Sequence, residues 1–261
     1  MPLEYACVVP HGGDIIPNLA VRKTERLFEK TRDSVRKIAR EIREARPDTI
    51  IIASPHNLRL QYNIAIITSE NSTGQLNGPR GRRVRLRLKC DRELAQNLLR
   101  ESTQKHLPVV GANYGTAEGS ASDVPMDWGT LVPMWFVAKE ERVRARVVIV
   151  APSREIPLSK NIAFGIVIGE MAEKSKKRIV FIASADQAHA HQKSGPYGFH
   201  RSATKYDQFV SRAIQKNRIG SISRLSKRLV EEAKPDSLWQ MAMLAGITRV
   251  VKMQGTLLSY A

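Results

Sequence analysis

The chain has 261 residues, 42% of them hydrophobic, which is enough to bury a full core in one large α/β domain or two small ones. No apolar run approaches membrane-spanning length, the N-terminus has no basic stretch leading into an apolar core, and two cysteines (Cys7 and Cys90) make neither a disulfide framework nor a thiolate zinc site; a cytoplasmic protein with no membrane partner is expected. The net charge of +17 admits anionic partners, but Lys and Arg are spread along the chain without an RNA- or DNA-binding signature, so a solvated basic surface and no nucleic-acid partner are expected.

Residues 4–10 read as a first strand that ends in Pro10-His11. A loop runs to Pro17, and a long helix is expected over 19–45, with Leu27, Ile38 and Ile42 sparse among its charges. Pro47-Asp48 turns the chain into a second strand, 49–54, followed by Pro55-His56. A third strand covers 62–68, and 71–81, with three Gly, one Pro and two Asn, reads as a loop. In the strand 82–89, alternation puts Arg83, Arg85, Arg87 and Lys89 on one face and Val84, Leu86 and Leu88 on the other, as on a protected edge strand. Asp91 caps a helix to about residue 102. The stretch 109–133, bearing Gly111, Gly115, Gly119 and Gly129, reads as a long functional loop, followed by a helix to about 139.

A strand over 146–151 runs into Pro152-Ser153, and a helix covers 159–174. The apolar run 178–183 leads into Ser184-Ala185-Asp186-Gln187-Ala188-His189. Helices are expected over 202–216 and 222–233, and another over 235–246 with Asp236 in its first turn and Gly246 at its end. Residues 250–259 read as a last strand with a turn at Gly255. This alternation predicts an α/β fold, one domain over 1–261 with a central, mostly parallel sheet flanked by helices.

If the strands ending in histidine are parallel neighbours, His11, His56 and His189 meet at the carboxyl edge of the sheet, where open α/β sheets bind ligands. Imidazole suits Fe(II) and Zn(II), and two His with one carboxylate leave open positions on an ion, as in non-haem Fe(II) oxygenases. His11 and His56 are the natural pair. Asp236, kept ionised by a helix dipole, is the candidate carboxylate, with Asp14, Glu231 and Glu232 as rivals. His189 suits a general acid/base, with Asp186 either orienting it or capping the turn; His191 takes either role or is solvated. Tyr197 and His200 are candidates for contact with a phenolic or carboxylate substrate. Cys7 is expected in the core, and Trp239, Met241 and Met243 on a packed helix face.

Pro10-His11-Gly12-Gly13, Ser54-Pro55-His56, Met126-Asp127-Trp128-Gly129-Thr130-Leu131-Val132-Pro133 and Ser184-Ala185-Asp186-Gln187-Ala188-His189, in that order, resemble the class III extradiol ring-cleavage dioxygenases of the protocatechuate 4,5-dioxygenase β-subunit type. The resemblance spans nearly the whole chain. It implies a single α/β domain that holds Fe(II) on two His and a carboxylate and opens a catecholic ring beside the diol with dioxygen. His11 and His56 match its first two ligands, and His189 matches the acid/base of a Ser-Gly-Asp-Leu-Ser-His-like motif. The family's Asp-His-Gly reads Asp127-Trp128-Gly129 here, so Trp128 replaces a substrate-contacting His and a less polar ring is expected. The usual ligand Glu is matched by Asp236. The superfamily also holds Memo-like proteins, which keep the fold and some histidines without an established ring-cleaving role. The leading expectation is an Fe(II)-dependent extradiol dioxygenase, a homo-oligomer acting on a small aromatic with O2. The alternatives are a Memo-like ligand- or protein-binding protein and a hydrolase in which Zn(II) on the same histidines activates water.

Overall fold

The apolar strands that end in Pro-His or Pro-Ser lie together in one sheet. The computed structural model describes residues 3–21 and 26–260. Its strands are β1 (Leu3–Val9), β2 (Thr49–Ala53), β3 (Ile64–Ile67), β4 (Asn71–Asn77), β5 (Arg83–Lys89), β6 (Val109–Ala112), β7 (Asp123–Pro125), β8 (Arg146–Ala151) and β9 (Ile179–Ser184). Its α-helices are α1 (Glu29–Ala45), α2 (Arg92–Gln104), α3 (Trp128–Met134), α4 (Leu158–Lys174), α5 (Ser202–Gln215), α6 (Lys227–Ala233) and α7 (Leu238–Val250).

The main sheet has the order β1-β9-β2-β8-β3-β6, and β5-β4-β7 form a second, smaller sheet. In the main sheet β1, β9, β2 and β8 are all parallel, β3 is antiparallel to β8, and β6 is parallel to β3. The architecture is therefore α/β with a mostly parallel central sheet. Strands covered on both faces are apolar at every position, and β2 and β9 are buried throughout. Ile50, Ile52, Val147 and Ile149 pack with Val35, Ile38 and Ile42 of α1. Their sheet neighbours Ile51, Val148 and Phe181 face the other way, onto Phe164 and Ile168 of α4 and Met243 and Ile247 of α7.

Several expectations are corrected. Residues 71–77 are strand β4, not loop: they pair antiparallel with 83–89. Gly74 is there for close approach, since a Cβ would lie 2.6 Å from the Met126 carbonyl oxygen. Gly246 does not end a helix but sits within α7, where a Cβ would lie 2.0 Å from the Ile162 carbonyl oxygen of α4. Asp236 precedes Ser237, the cap of α7, and so lies just outside the first turn. Residues 251–260 form no strand; Asn217 holds them by bonding the Met253 carbonyl and the Gly255 N–H. The long first helix starts only at Glu29, and 22–25 of its expected span lie outside the described residues. The stretch 222–233 divides into a 3-10 turn, Ile219–Arg224, and α6, capped by Ser226. The stretch 109–133 contains β6, β7 and most of α3, which passes into a π-helical segment, Trp135–Glu140.

Candidate metal centre

Because β1, β9 and β2 are parallel neighbours, their carboxyl ends bring His11, Ser184 and the loop to His56 side by side, and the chain entering α7 adds Asp236. His11 Nε2 lies 3.1 Å from His56 Nε2 and 3.2 Å from Asp236 Oδ2, and His56 Nε2 lies 3.1 Å from the same oxygen. His11 and Asp236 are buried, and His56 is partly buried. Of the rival carboxylates, Glu231 pairs with Lys227 and Glu232 with Arg228, and Asp14 belongs to the 3-10 turn Gly13–Ile15.

The hydrogen bonds around this trio fix its chemistry. The Ser184 hydroxyl lies 2.5 Å from the Gly129 carbonyl oxygen, to which it must donate, and 3.0 Å from His11 Nδ1. Its one proton being used, it accepts from His11 Nδ1–H, so Nε2 can offer its lone pair to an ion once the proton it shares with Asp236 has left. Asp186 does not orient His189. Its Oδ1 accepts the His11 backbone N–H at 2.9 Å, and its Oδ2 lies 3.5 Å from His11 Nε2. Asp236 Oδ1 accepts the Asp186 N–H, leaving Oδ2 for the histidines.

Burial pulls the His11 imidazole toward neutrality, but the Asp236 hydrogen bond and the charges of Asp186, Asp236 and Asp127 outweigh it and raise its pKa. Burial likewise favours a neutral Asp236, yet its hydrogen bonds with His11 and His56 hold it far below the usual carboxylate range. Two imidazole nitrogens and a carboxylate oxygen thus face one point and call for positive charge there. Ligands about 2.0–2.2 Å from a divalent ion sit about 3.0–3.5 Å apart, so the observed spacings of 3.1–3.2 Å fit one. These residues form a possible His-His-Asp metal site.

The wall beside His56 is built by Asp127. Its carboxylate caps α3 through the Thr130 N–H and accepts the Ser54 hydroxyl at 2.5 Å and the Asn57 amide at 2.8 Å, tying the His56 loop to α3. Gly129 leaves room for this bond, since a Cβ there would lie 2.4 Å from Ser54 Oγ. Trp128 then stacks on His56, centroids 4.1 Å apart at 27°, with 47% of its surface exposed.

The remaining sequence-predicted residues line the loop after β9. His189 Nδ1–H donates to the Lys234 carbonyl at 2.9 Å, which leaves Nε2 as an acceptor, and the ring meets Tyr197 at 5.0 Å between centroids. His189 is close enough to Asp236 to interact with it electrostatically. His191 Nε2 is 2.7 Å from the buried Asp207, which also takes the Ala188 N–H and the Tyr260 hydroxyl. His200 Nδ1 accepts the Ser202 N–H at the start of α5. Cys7 is buried, as expected.

The sequence reading missed Ser184, the Asp127 cap and Arg154. The guanidinium of Arg154, on the loop after β8, lies 4.6 Å over the Trp239 ring. Burial lowers its pKa, as does Arg59, against the raising charges of Asp236, Glu155 and Tyr197. The signal was present: Arg154 follows the third Pro-ended strand, the one whose next residue is Ser153 rather than His.

No helix among the described residues is long and apolar enough to cross a membrane. Over its full length the chain is 28% identical to protein CA_C1420 of Clostridium acetobutylicum, and it spans about half (55%) of that curated relative. Its fold is similar to that of an uncharacterized protein, JW3007, from Escherichia coli K12, with a TM-score of 0.53 at 14% identity over 82% of this chain and 80% of that one. Residues 5–261 match the family described as the catalytic LigB subunit of aromatic ring-opening dioxygenase, and the chain belongs to that LigB family.

Proposed function

We propose that the protein is an Fe(II)-dependent dioxygenase of the extradiol type, acting on a small aromatic diol with dioxygen. The observation that carries this reading is the convergence of His11 Nε2, His56 Nε2 and Asp236 Oδ2 at 3.1–3.2 Å. An iron bound there would supply Lewis acidity and a path for electrons between diol and dioxygen. Ser184 and Asp186 keep the His11 ring fixed during ligand exchange. His189, held by Lys234, offers Nε2 to take a proton from a substrate hydroxyl and return it later. Tyr197 lies beside His189 and can share in holding that hydroxyl. Trp128 presents an apolar face and one N–H donor, which favours a ring less polar than a histidine would. Arg154 supports an aromatic that also carries a carboxylate, because a guanidinium pairs with carboxylates in a two-pronged geometry. His191 and His200, bonded to Asp207 and Ser202, set the loop that carries Tyr197.

Anaerobic loading with Fe(II), then oxygen and a panel of catechols, tests the proposal through oxygen uptake and a coloured ring-opened product. Trp128 in the place of a substrate-contacting histidine favours a second reading, ligand binding without ring opening. Iron and catechol that bind while no oxygen is consumed would establish that reading instead. Retention of Zn(II) in preference to Fe(II), with hydrolysis of an ester or amide panel, would refute both in favour of a hydrolase.

A further inference from the structure

A second concavity, of about 380 Å³, lies along α5 and the turn Ile219–Arg224. Lys205, Arg212, Lys216, Arg218 and Arg224 line it together with Phe209, and no carboxylate does. Among the described residues none of these five cations is in an ion pair. Residues 201–224 hold six Lys and Arg against a single acid, Asp207, and that acid is buried and already engaged by His191 and Tyr260. Unpaired like charges around one hollow repel each other, and an anionic occupant relieves that repulsion.

The spacing on α5 narrows the occupant. Lys205, Phe209, Arg212 and Lys216 follow at intervals of four, three and four, so they share one helix face. At 1.5 Å per residue the stripe is about 16 Å long. Phe209 is partly exposed between the cations. A line of cations interrupted by an aromatic ring is how proteins track a flexible nucleic-acid backbone while stacking a base. An acidic peptide would satisfy the charges but make no use of the ring. We propose that this groove binds single-stranded nucleic acid. Such a site departs from the expected solvated basic surface without a nucleic-acid partner, because the period of α5 and the returning turn gather charges that are dispersed in the sequence. The exposed Arg83, Arg85 and Arg87 of β5 alternate with buried Val84, Leu86 and Leu88, the pattern of a solvated strand face.

The test is fluorescence anisotropy of labelled twelve-nucleotide oligouridylate and oligothymidylate on the full chain at about 50–200 mM salt, with an oligoglutamate of equal charge as competitor. If about three phosphates are neutralised, the log–log salt slope is about −2, or roughly a 20-fold loss over that range. Arg212→Gln/Lys216→Gln/Arg218→Gln, all at exposed positions, should weaken binding at least tenfold. Phe209→Leu, which keeps apolar packing but removes the flat ring, should weaken it about fivefold or more. Arg83→Gln/Arg85→Gln/Arg87→Gln should leave it within about twofold. Melting temperatures verify folding, and Lys205→Gln/Arg224→Gln replaces the triple variant if that one unfolds. Absence of binding at about 50 mM salt overturns the proposal. So does an equal loss in the β5 variant, which would mean diffuse charge. Equal competition by oligoglutamate, with Phe209→Leu unaffected, would assign the groove to an acidic protein instead.

Discussion

Replacing Ser184 by Ala tests the proposed metal centre without touching a ligand. The Ser184 side chain is fully buried, and its hydroxyl closes two bonds, accepting from His11 Nδ1–H and donating to the Gly129 carbonyl. Alanine leaves one buried donor and one buried acceptor unpaired. At about 1–3 kcal/mol for each buried group left unsatisfied, less whatever a water molecule recovers, the fold should lose about 2–4 kcal/mol. The second effect is on the ion. Without the hydroxyl, nothing holds the proton on Nδ1, and the tautomer with a proton on Nε2 cannot ligate. Loss of such a supporting hydrogen bond costs about 10–100-fold in metal affinity. Calorimetric titration of the metal-free protein with Fe(II) under anaerobic conditions, or with Zn(II), measures this directly, and urea unfolding measures the stability term. Metal dissociation constants agreeing within about twofold between wild type and variant would show that Ser184 does not set the His11 tautomer, and the assignment of the Nδ1 proton would fail with it.

His11→Ala and His189→Ala should fail differently: the first should strip the ion, while the second should keep near-normal metal with turnover down about 10²–10⁴-fold, as for a lost general acid/base. Metal loss from the His189 variant would make it a ligand, and unchanged turnover would make it a structural residue. Gly246→Ala should cost several kcal/mol, since its Cβ would lie 2.0 Å from the Ile162 carbonyl and both helices are buried where they cross; a melting temperature within a degree or two of wild type would contradict the α4–α7 packing. Asp91→Asn should destabilise by about 1–3 kcal/mol near neutrality, because the buried carboxylate accepts Thr49 Oγ1–H, the Lys177 ammonium and the Leu94 N–H. Burial raises the Asp91 pKa, but these bonds outweigh it and the net shift is downward. Its contribution is therefore complete above the unfolded value of about 3.9 and disappears as pH falls through the lower folded value. Burial lowers and Asp91 and Glu93 raise the Lys177 pKa, with a net rise, so its share persists up to about pH 10.4 and is lost as pH climbs through the folded value. Urea midpoints of both proteins from pH 2 to 11 should converge at the acid end; a constant gap there would disprove the charge argument.

Parallel strands are the most legible part of this chain, because being covered on both faces leaves a mark on every residue. β2, β8 and β9 need no partner information to be read as buried strands. β4 was illegible for the opposite reason. Its sequence, Asn-Ser-Thr-Gly-Gln-Leu-Asn, has the composition of a turn. It is a strand because β5 and β7 supply its partners and because Gly74 lets Met126 approach. Gly246 misled similarly: a glycine near the end of a helical pattern and a glycine at a helix crossing look alike until the second helix is placed.

The two ends of the main sheet show why the ligands were readable and their supports were not. At the amino ends of the parallel strands, charges are matched: Asp91 with Lys177, and Asp48 with Arg178. At the carboxyl ends, His11, His56 and Asp236 instead aim two imidazoles and a carboxylate at one point. A histidine at the end of an apolar strand already signals the second kind of place, because nothing about strand formation asks for it. A serine in the same setting does not, since Ser184, Ser54 and Ser153 each suit a turn equally well, and only the geometry separates their roles. Ser184 becomes distinct through β9 lying between β1 and β2, a strand order that no local pattern contains. The ligands therefore follow from residue chemistry, and the groups that orient them follow from topology. A reading confined to sequence will find the first and pass over the second wherever the supporting residue is small and the order of strands is not the order of the chain.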